Sequence, residues 1–224
     1  MTIRALSATA IILTILLSVS CNRPGEGFTD EELSLINGAD SIMRVLTIED
    51  SLDNAVLRSI STDMSAKALC SPEYERLSCL MVETVTHPSQ DGVGIAGPQV
   101  GLNRRIVAVQ RFDTPGESFE VYPNIRIVWR SDSLAYGPEG CLSVPGRRGE
   151  VLRSQEIVIE YADIERLNEA DDRDHGRQHR GGLRRRKSSP APLPVCRDTV
   201  KGFTAVIFQH ECDHLDGVLY IDRL

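Results

Sequence analysis

Two histidines sit four residues apart near the carboxyl end of this 224-residue chain, in Gln209-His210-Glu211-Cys212-Asp213-His214-Leu215-Asp216-Gly217. On a helix that spacing turns the second side chain about 40° from the first, so both imidazoles leave one face and can share a metal ion. Glu211 stands beside them, placed to reach a water on such an ion without binding the ion itself, the arrangement of a metallohydrolase. Two histidines leave a tetrahedral ion short of a ligand. Only ten residues follow His214, and none is Glu or His. The fold must therefore bring a ligand from upstream onto this helix.

The best upstream candidate is Cys141, in Glu139-Gly140-Cys141-Leu142-Ser143-Val144-Pro145-Gly146, where the flanking Gly and the Pro-Gly predict a tight exposed loop. As a thiolate it would complete a Cys-His-His set with one position free for water. Taken alone, a cysteine is more often a core residue. A third stretch, Gly92-Val93-Gly94-Ile95-Ala96-Gly97-Pro98-Gln99-Val100-Gly101, is Gly-rich but lacks the Lys-Ser/Thr of a phosphate loop. It reads as a turn between a helix and a strand, with Gln99 as its single polar side chain.

Around these motifs the chain alternates between two periods. Thr29 followed by acidic residues predicts a short helix, and apolar residues at helical intervals predict helices over 52–64 and 74–85. Residues 105–110, 119–122, 126–129 and 156–161 are β-branched runs bounded by turn residues, with no helix between them. Residues 202–214 form the last helix, stopped by Gly217. Strands in succession with helices at the two ends predict an α+β domain with antiparallel β-sheets around the carboxyl-terminal His-Glu-x-x-His helix. Residues 166–196 break the pattern, with few apolar residues, Arg and Lys at 184–187 and a Pro-rich tail. They are expected to be disordered or a long surface loop, a solvated insertion in preference to a cationic patch for anionic lipid.

The amino terminus reads as a targeting segment. Arg4 precedes an uncharged apolar run from Ala5 to Val19 and small residues before Cys21, a secretory signal too short to cross a bilayer comfortably. Ser18-Val19-Ser20-Cys21 resembles a bacterial lipobox, with a plain cleaved signal or an uncleaved anchor as the alternatives. The expected organisation is a signal over 1–21, a tether and short helix over 22–43, and a catalytic domain over 44–224. A lipidated Cys21 would tether that domain to a membrane. The formal net charge of -7 leaves no overall basic field, so no nucleic-acid partner is expected.

The Gly-rich loop ending in Pro98-Gln99, the Glu139-Gly140-Cys141-Leu142-Ser143 stretch and the Gln209–Gly217 stretch, in this order, together resemble the peptide deformylases. The resemblance covers residues 44–224, interrupted at 166–196. It implies a metal held by Cys141, His210 and His214, ferrous iron in most of the family and zinc, nickel or cobalt in others. It implies Glu211 as general base and proton donor to the leaving amine, and hydrolysis of N-formylmethionyl peptides to formate and a free amino terminus. It also implies that Gln99 and the Leu142 N–H meet charge on the formyl oxygen. Backbone around Val93 and Gly94 would bind the peptide as an added strand. Val93, Phe203, Val206 and Ile207 would line a methionine pocket, Arg148 would contact substrate, and Glu139 with Arg153 would brace the Cys141 loop. Gly97 stands where the family usually has Ala, a change expected to add backbone freedom. A related metal-dependent amidase or peptidase, or a non-catalytic binding module on the same fold, are the competing readings. A signal peptide would carry such an enzyme away from ribosomes, toward formylated peptides outside the cytoplasm, where zinc would outlast ferrous iron.

Overall fold

Side-chain caps set where the amino-terminal helices begin in the computed structural model, which describes residues 27–170 and 192–224. Thr29 accepts from the Glu32 N–H while the Glu32 carboxylate accepts from the Thr29 N–H, a capping box that opens α1 (Asp30–Gly38). Asp50, Ser65 and Ser71 likewise cap α2 (Ser51–Leu57), α3 (Ala66–Leu69) and α4 (Pro72–Thr86). The helix expected over 52–64 stops at Leu57 because the backbone beyond it finds distant partners. Ser61 N–H bonds the Leu215 carbonyl at 2.8 Å and Thr62 N–H bonds the Asn103 carbonyl at 2.9 Å, in place of a helical ladder. The second periodic segment behaves as expected: α4 buries Leu77, Leu80, Met81 and Val85.

α1, in the segment before residue 44, packs on the same core as α4. Ile36 is fully buried in the same core cluster as α4, and Arg76 donates to the Ile36 carbonyl at 3.0 Å. Glu32 pairs with the buried guanidinium of Arg104 at 2.8 Å. Phe28 also packs on this cluster.

Eight strands follow in antiparallel ladders. β1 (Gly94–Ala96), β2 (Ile106–Gln110) and β3 (Phe119–Pro123) form one sheet in that order, with β1 at its edge. β4 (Arg126–Arg130), β7 (Glu156–Ala162) and β8 (Val195–Lys201) form a second in the order β4-β7-β8. β5 (Leu134–Cys141) and β6 (Val144–Ser154) form a long hairpin. The Gly-rich stretch is thus more than a turn: it holds edge strand β1 and a 3-10 turn over Gly97–Val100.

Both ends of the 166–196 segment, expected to be disordered or a surface loop, carry regular structure. Residues 164–170 are helical with Leu167 buried, and Val195 and Cys196 lie in β8, paired with Ala162 and Tyr161 of β7. Its residues 171–191 lie outside the described residues. The β7–β8 ladder runs without a break from Ala162↔Val195 to Glu156↔Lys201. That register delivers the chain into α5 (Gly202–Leu215), which Gly217 ends at φ 72°. The helix lies between the sheets and packs on β1, β2, β4, β6, β7 and β8. Its Ala205, Ile207, Phe208, Cys212 and Leu215 join one core cluster with Val107, Val109, Ile157 and Ile159. Cys212 is therefore core, and the histidines occupy another face.

Candidate active site

α5 presents His210 and His214 with ring centroids 5.1 Å apart. Cys141, at the end of β5 just past a register shift in the β5–β6 hairpin, comes down onto them. Its Sγ lies 3.2 Å from His214 Nε2, and one ligand atom from each of Cys141, His210 and His214 falls within 4.8 Å of the others. Cys141 is a half-buried strand end and not the exposed loop its flanking residues suggest.

The surroundings orient these groups. Glu139 Oε2 and His210 Nδ1 are 2.8 Å apart, which leaves Nε2 as the nitrogen that can reach a metal. Glu139 also accepts from Arg153 Nε at 2.7 Å and Nη2 at 3.0 Å, and Arg153 Nη1 donates to Asp213 at 2.6 Å. Burial alone would raise the Glu139 carboxyl, but the bonds from His210 and Arg153 prevail and hold it at about 2. Burial, with the His210 charge beside it, pushes His214 well below the usual imidazole range, so its ring is neutral with a lone pair to give. Burial lowers His210 too, yet its bonds to Cys141 and Glu139 outweigh that and raise it to about 10.

Glu211 is buried, and burial raises its carboxyl to about 7. Its Oε2 has no hydrogen-bond partner among the described residues. The carboxylate fits only because residue 94 has no side chain: a Cβ on Gly94 would lie 2.5 Å from Glu211 Oε1 and 2.8 Å from Ile207 Cγ2. Gln99 Oε1 accepts from the Ala96 N–H at 2.8 Å, which aims Nε2 at Ser143 Oγ (3.2 Å) and at Cys141 Sγ (3.6 Å). One sulfur and two imidazoles, one of them braced by a carboxylate, with an orphaned carboxylate oxygen beside them, fit a single borderline divalent ion. A cleft of about 790 Å³ opens above them.

A family model described as polypeptide deformylase matches residues 42–176 and 195–224. The chain belongs to the polypeptide deformylase family. That family is metal-dependent, and its members are hydrolases. A peptide deformylase of Leptospira biflexa is 33% identical over 181 residues, 77% of this chain and 84% of that protein. Peptide deformylase 2 of a Nostoc species is 39% identical over 140 residues, 60% of this chain and 63% of that protein. Among solved structures, the class I type b peptide deformylase of Acinetobacter baumannii bound to Met-Ala-Ser superposes with a TM-score of 0.62 at 27% identity. The match covers 82% of this chain and 98% of that one. The same deformylase has also been solved with actinonin bound. The stretch skipped by the family model, 177–194, falls in the β7–β8 connection, where it leaves the sheet register and the helix beyond it intact.

The deformylase motifs predicted from sequence converge on the one cleft. Its walls include Val93, Gly94, Gln99, Cys141 and Leu142, with Arg148 on one rim. Phe203, Val206, Ile207, His210 and Glu211 line it from α5, while His214 lies behind, fully buried. Gly97 runs against expectation. A Cβ there would lie 2.7 Å from the carbonyl oxygens of both Arg104 and Leu102, so the position is crowded and not free.

Three partners escaped sequence reasoning. Asp213 carries Arg153 from within the histidine motif itself, Ser143 receives the Gln99 amide, and the Tyr220 ring lies over His210 with centroids 6.0 Å apart. Asp213 had a visible signal, a second carboxylate on a helix otherwise destined for burial. Ser143 and Tyr220 had none.

Proposed function

We propose that this chain removes the formyl group from N-formylmethionyl peptides, with Cys141, His210 and His214 as metal ligands and Glu211 as general base. The observation that carries the reading is the meeting of the Cys141 sulfur with both imidazoles at the floor of a cleft, beside a buried carboxylate whose Oε2 has no hydrogen-bond partner among the described residues. When bound, a divalent ion supplies Lewis acidity there, polarising the formyl oxygen and activating water at neutral pH. Glu211 takes a proton from the attacking water and returns it to the departing amine. Water adds to the formyl carbon and the C–N bond breaks, leaving formate and a free amino terminus. The Gln99 amide, fixed by its bond to Ala96, and the Leu142 N–H face the charge that grows on the formyl oxygen.

The outer edge of β1 is unpaired in its sheet, so a peptide can extend the sheet beside Val93 and Gly94 without its sequence being read. Val93, Phe203, Val206 and Ile207 supply the apolar wall for the methionine side chain, and Arg148 contacts the peptide further along. Iron(II) is the ion that family resemblance favours. Zinc suits the same donors and survives an oxidising compartment. The purified protein loaded with either ion is expected to release formate from formyl-Met-Ala, to lose the activity on chelation and to regain it when the ion is returned. Absence of formate with the ion demonstrably bound would overturn the reading.

For location, we propose export followed by lipidation at Cys21, supported by Arg4, the apolar run Ala5–Val19 and the small residues before the cysteine. Those residues lie outside the described ones. No helix among the described residues is long and apolar enough to cross a membrane. Acyl-modified Cys21 at the amino terminus, read by mass spectrometry of the membrane fraction, is the expected result; an unmodified chain in the cytosol refutes export.

A further inference from the structure

One stripe of α5 runs the length of the cleft. Phe203, Val206, Ile207 and His210, at i, i+3, i+4 and i+7, face Pro138 to Leu142 across it. The stripe does not end where the cleft ends. Phe203 and Val206 also wall a second, half-open hollow of about 200 Å³, lined further by Ala135, Tyr136, Gly137, Val151 and Gln155. Two cavities therefore share the same two side chains, which are two of the four assigned to the methionine pocket. Gly137 pairs with Val151 across the β5–β6 hairpin, and a Cβ on it would meet nothing within 4 Å. The strand is thinned at the junction, and Phe203, 54% exposed, stands over it.

Two rulers place the hollow relative to the metal ligands. Cys141 to Gly137 is four strand residues, about 13 Å. His210 to Phe203 is seven helical residues, roughly 10 Å. A methionine side chain extends only about 5 Å from its Cα. With the formyl group at the ligands, that side chain fills the near part of the stripe and stops short of the hollow.

We propose that the cleft and the hollow form one apolar channel for the first side chain of the substrate, with Gly137 as the residue that keeps it open. The ligand class is an N-formyl peptide whose first residue carries an unbranched apolar side chain longer than that of methionine. This deepens the deformylase reading and rests on it. Burying each added methylene in the channel strengthens binding by up to about fourfold, less where the wall stays wet.

The test is a series of formyl-Xaa-Ala peptides in which Xaa is methionine, norleucine, 2-aminooctanoic acid or 2-aminodecanoic acid. Both kcat/KM and calorimetric affinity for the deformylated products Xaa-Ala are measured on the metal-loaded full chain. From norleucine to 2-aminodecanoic acid both quantities are expected to rise, together by about tenfold or more. Gly137→Val, which puts a β-branched side chain into a strand where nothing opposes it, is expected to abolish that ratio. Gly137→Ala should give an intermediate one. A ratio that falls beyond norleucine in the unmodified protein overturns the proposal, as does a ratio that Gly137→Val leaves unchanged. Absent formate release from every peptide counts against the deformylase reading. The product affinities still decide the channel, for it or against it, by whether they climb with chain length and lose the climb in Gly137→Val.

Discussion

Glu211→Ala is expected to lower kcat on formyl-Met-Ala by about 10²- to 10⁴-fold while one equivalent of metal stays bound, measured by formate release alongside elemental analysis. The split between activity and metal content follows from geometry. The Glu211 carboxylate faces the cleft beside the ligands but is not among the three groups that converge within 4.8 Å. Its removal would take away the proposed proton carrier and leave Cys141, His210 and His214 in place. A milder form of the same lesion comes from the other side of the cleft. A methyl at Gly94 needs the space 2.5 Å from Glu211 Oε1, so Gly94→Ala displaces the carboxylate and is expected to cost about 10²-fold in kcat, again with metal retained. Equal loss of metal and activity in either variant would mean that Glu211 holds the ion and not the proton.

The second large effect is on stability. Arg153→Ala is expected to cost about 3–5 kcal/mol in denaturant unfolding, because it removes the buried guanidinium shared by two buried carboxylates, Glu139 and Asp213. Desolvated charges are costly to leave short of partners, and here the half-exposed Arg223 remains beside Asp213 and His210 beside Glu139. The comparison that isolates burial is Arg126→Ala. Arg126 also forms a two-pronged pair, with Asp63, but both side chains are 48% exposed, and its loss should cost no more than about 1 kcal/mol. Arg153→Ala should weaken metal binding too, since Glu139 would lose the guanidinium that holds it against His210.

The site was legible in the sequence because its chemistry sits in short contiguous runs. Gly92–Gln99, Glu139–Ser143 and Gln209–Gly217 each fold as one piece, so residues adjacent in sequence stay adjacent in the cleft. The pairing of Glu139 with Arg153 came from the family resemblance alone, because the β5–β6 hairpin that brings them together has no local signal. What was not legible depends on contacts across the chain. The helix begun at Ser51 ends early because Leu215 and Asn103 capture the backbone after it, and no local pattern near residue 60 announces them. The hairpin itself was missed because Leu134–Cys141 and Val144–Ser154 carry Gly, Pro and Arg in place of an alternating apolar pattern, with much of both faces exposed. β8 was missed in part because it emerges directly from a polar, Pro-rich stretch. Its register with β7 is set by tertiary pairing and not by propensity.

The central claim is that Cys141, His210 and His214 together hold one catalytic metal. X-ray absorption spectroscopy of the zinc-loaded protein reads this coordination directly. The account predicts one sulfur at about 2.3 Å and two imidazole nitrogens at about 2.0–2.1 Å, with the sulfur signal lost in Cys141→Ala. A shell of nitrogen and oxygen alone, or a sulfur signal that persists in Cys141→Ala, would contradict it.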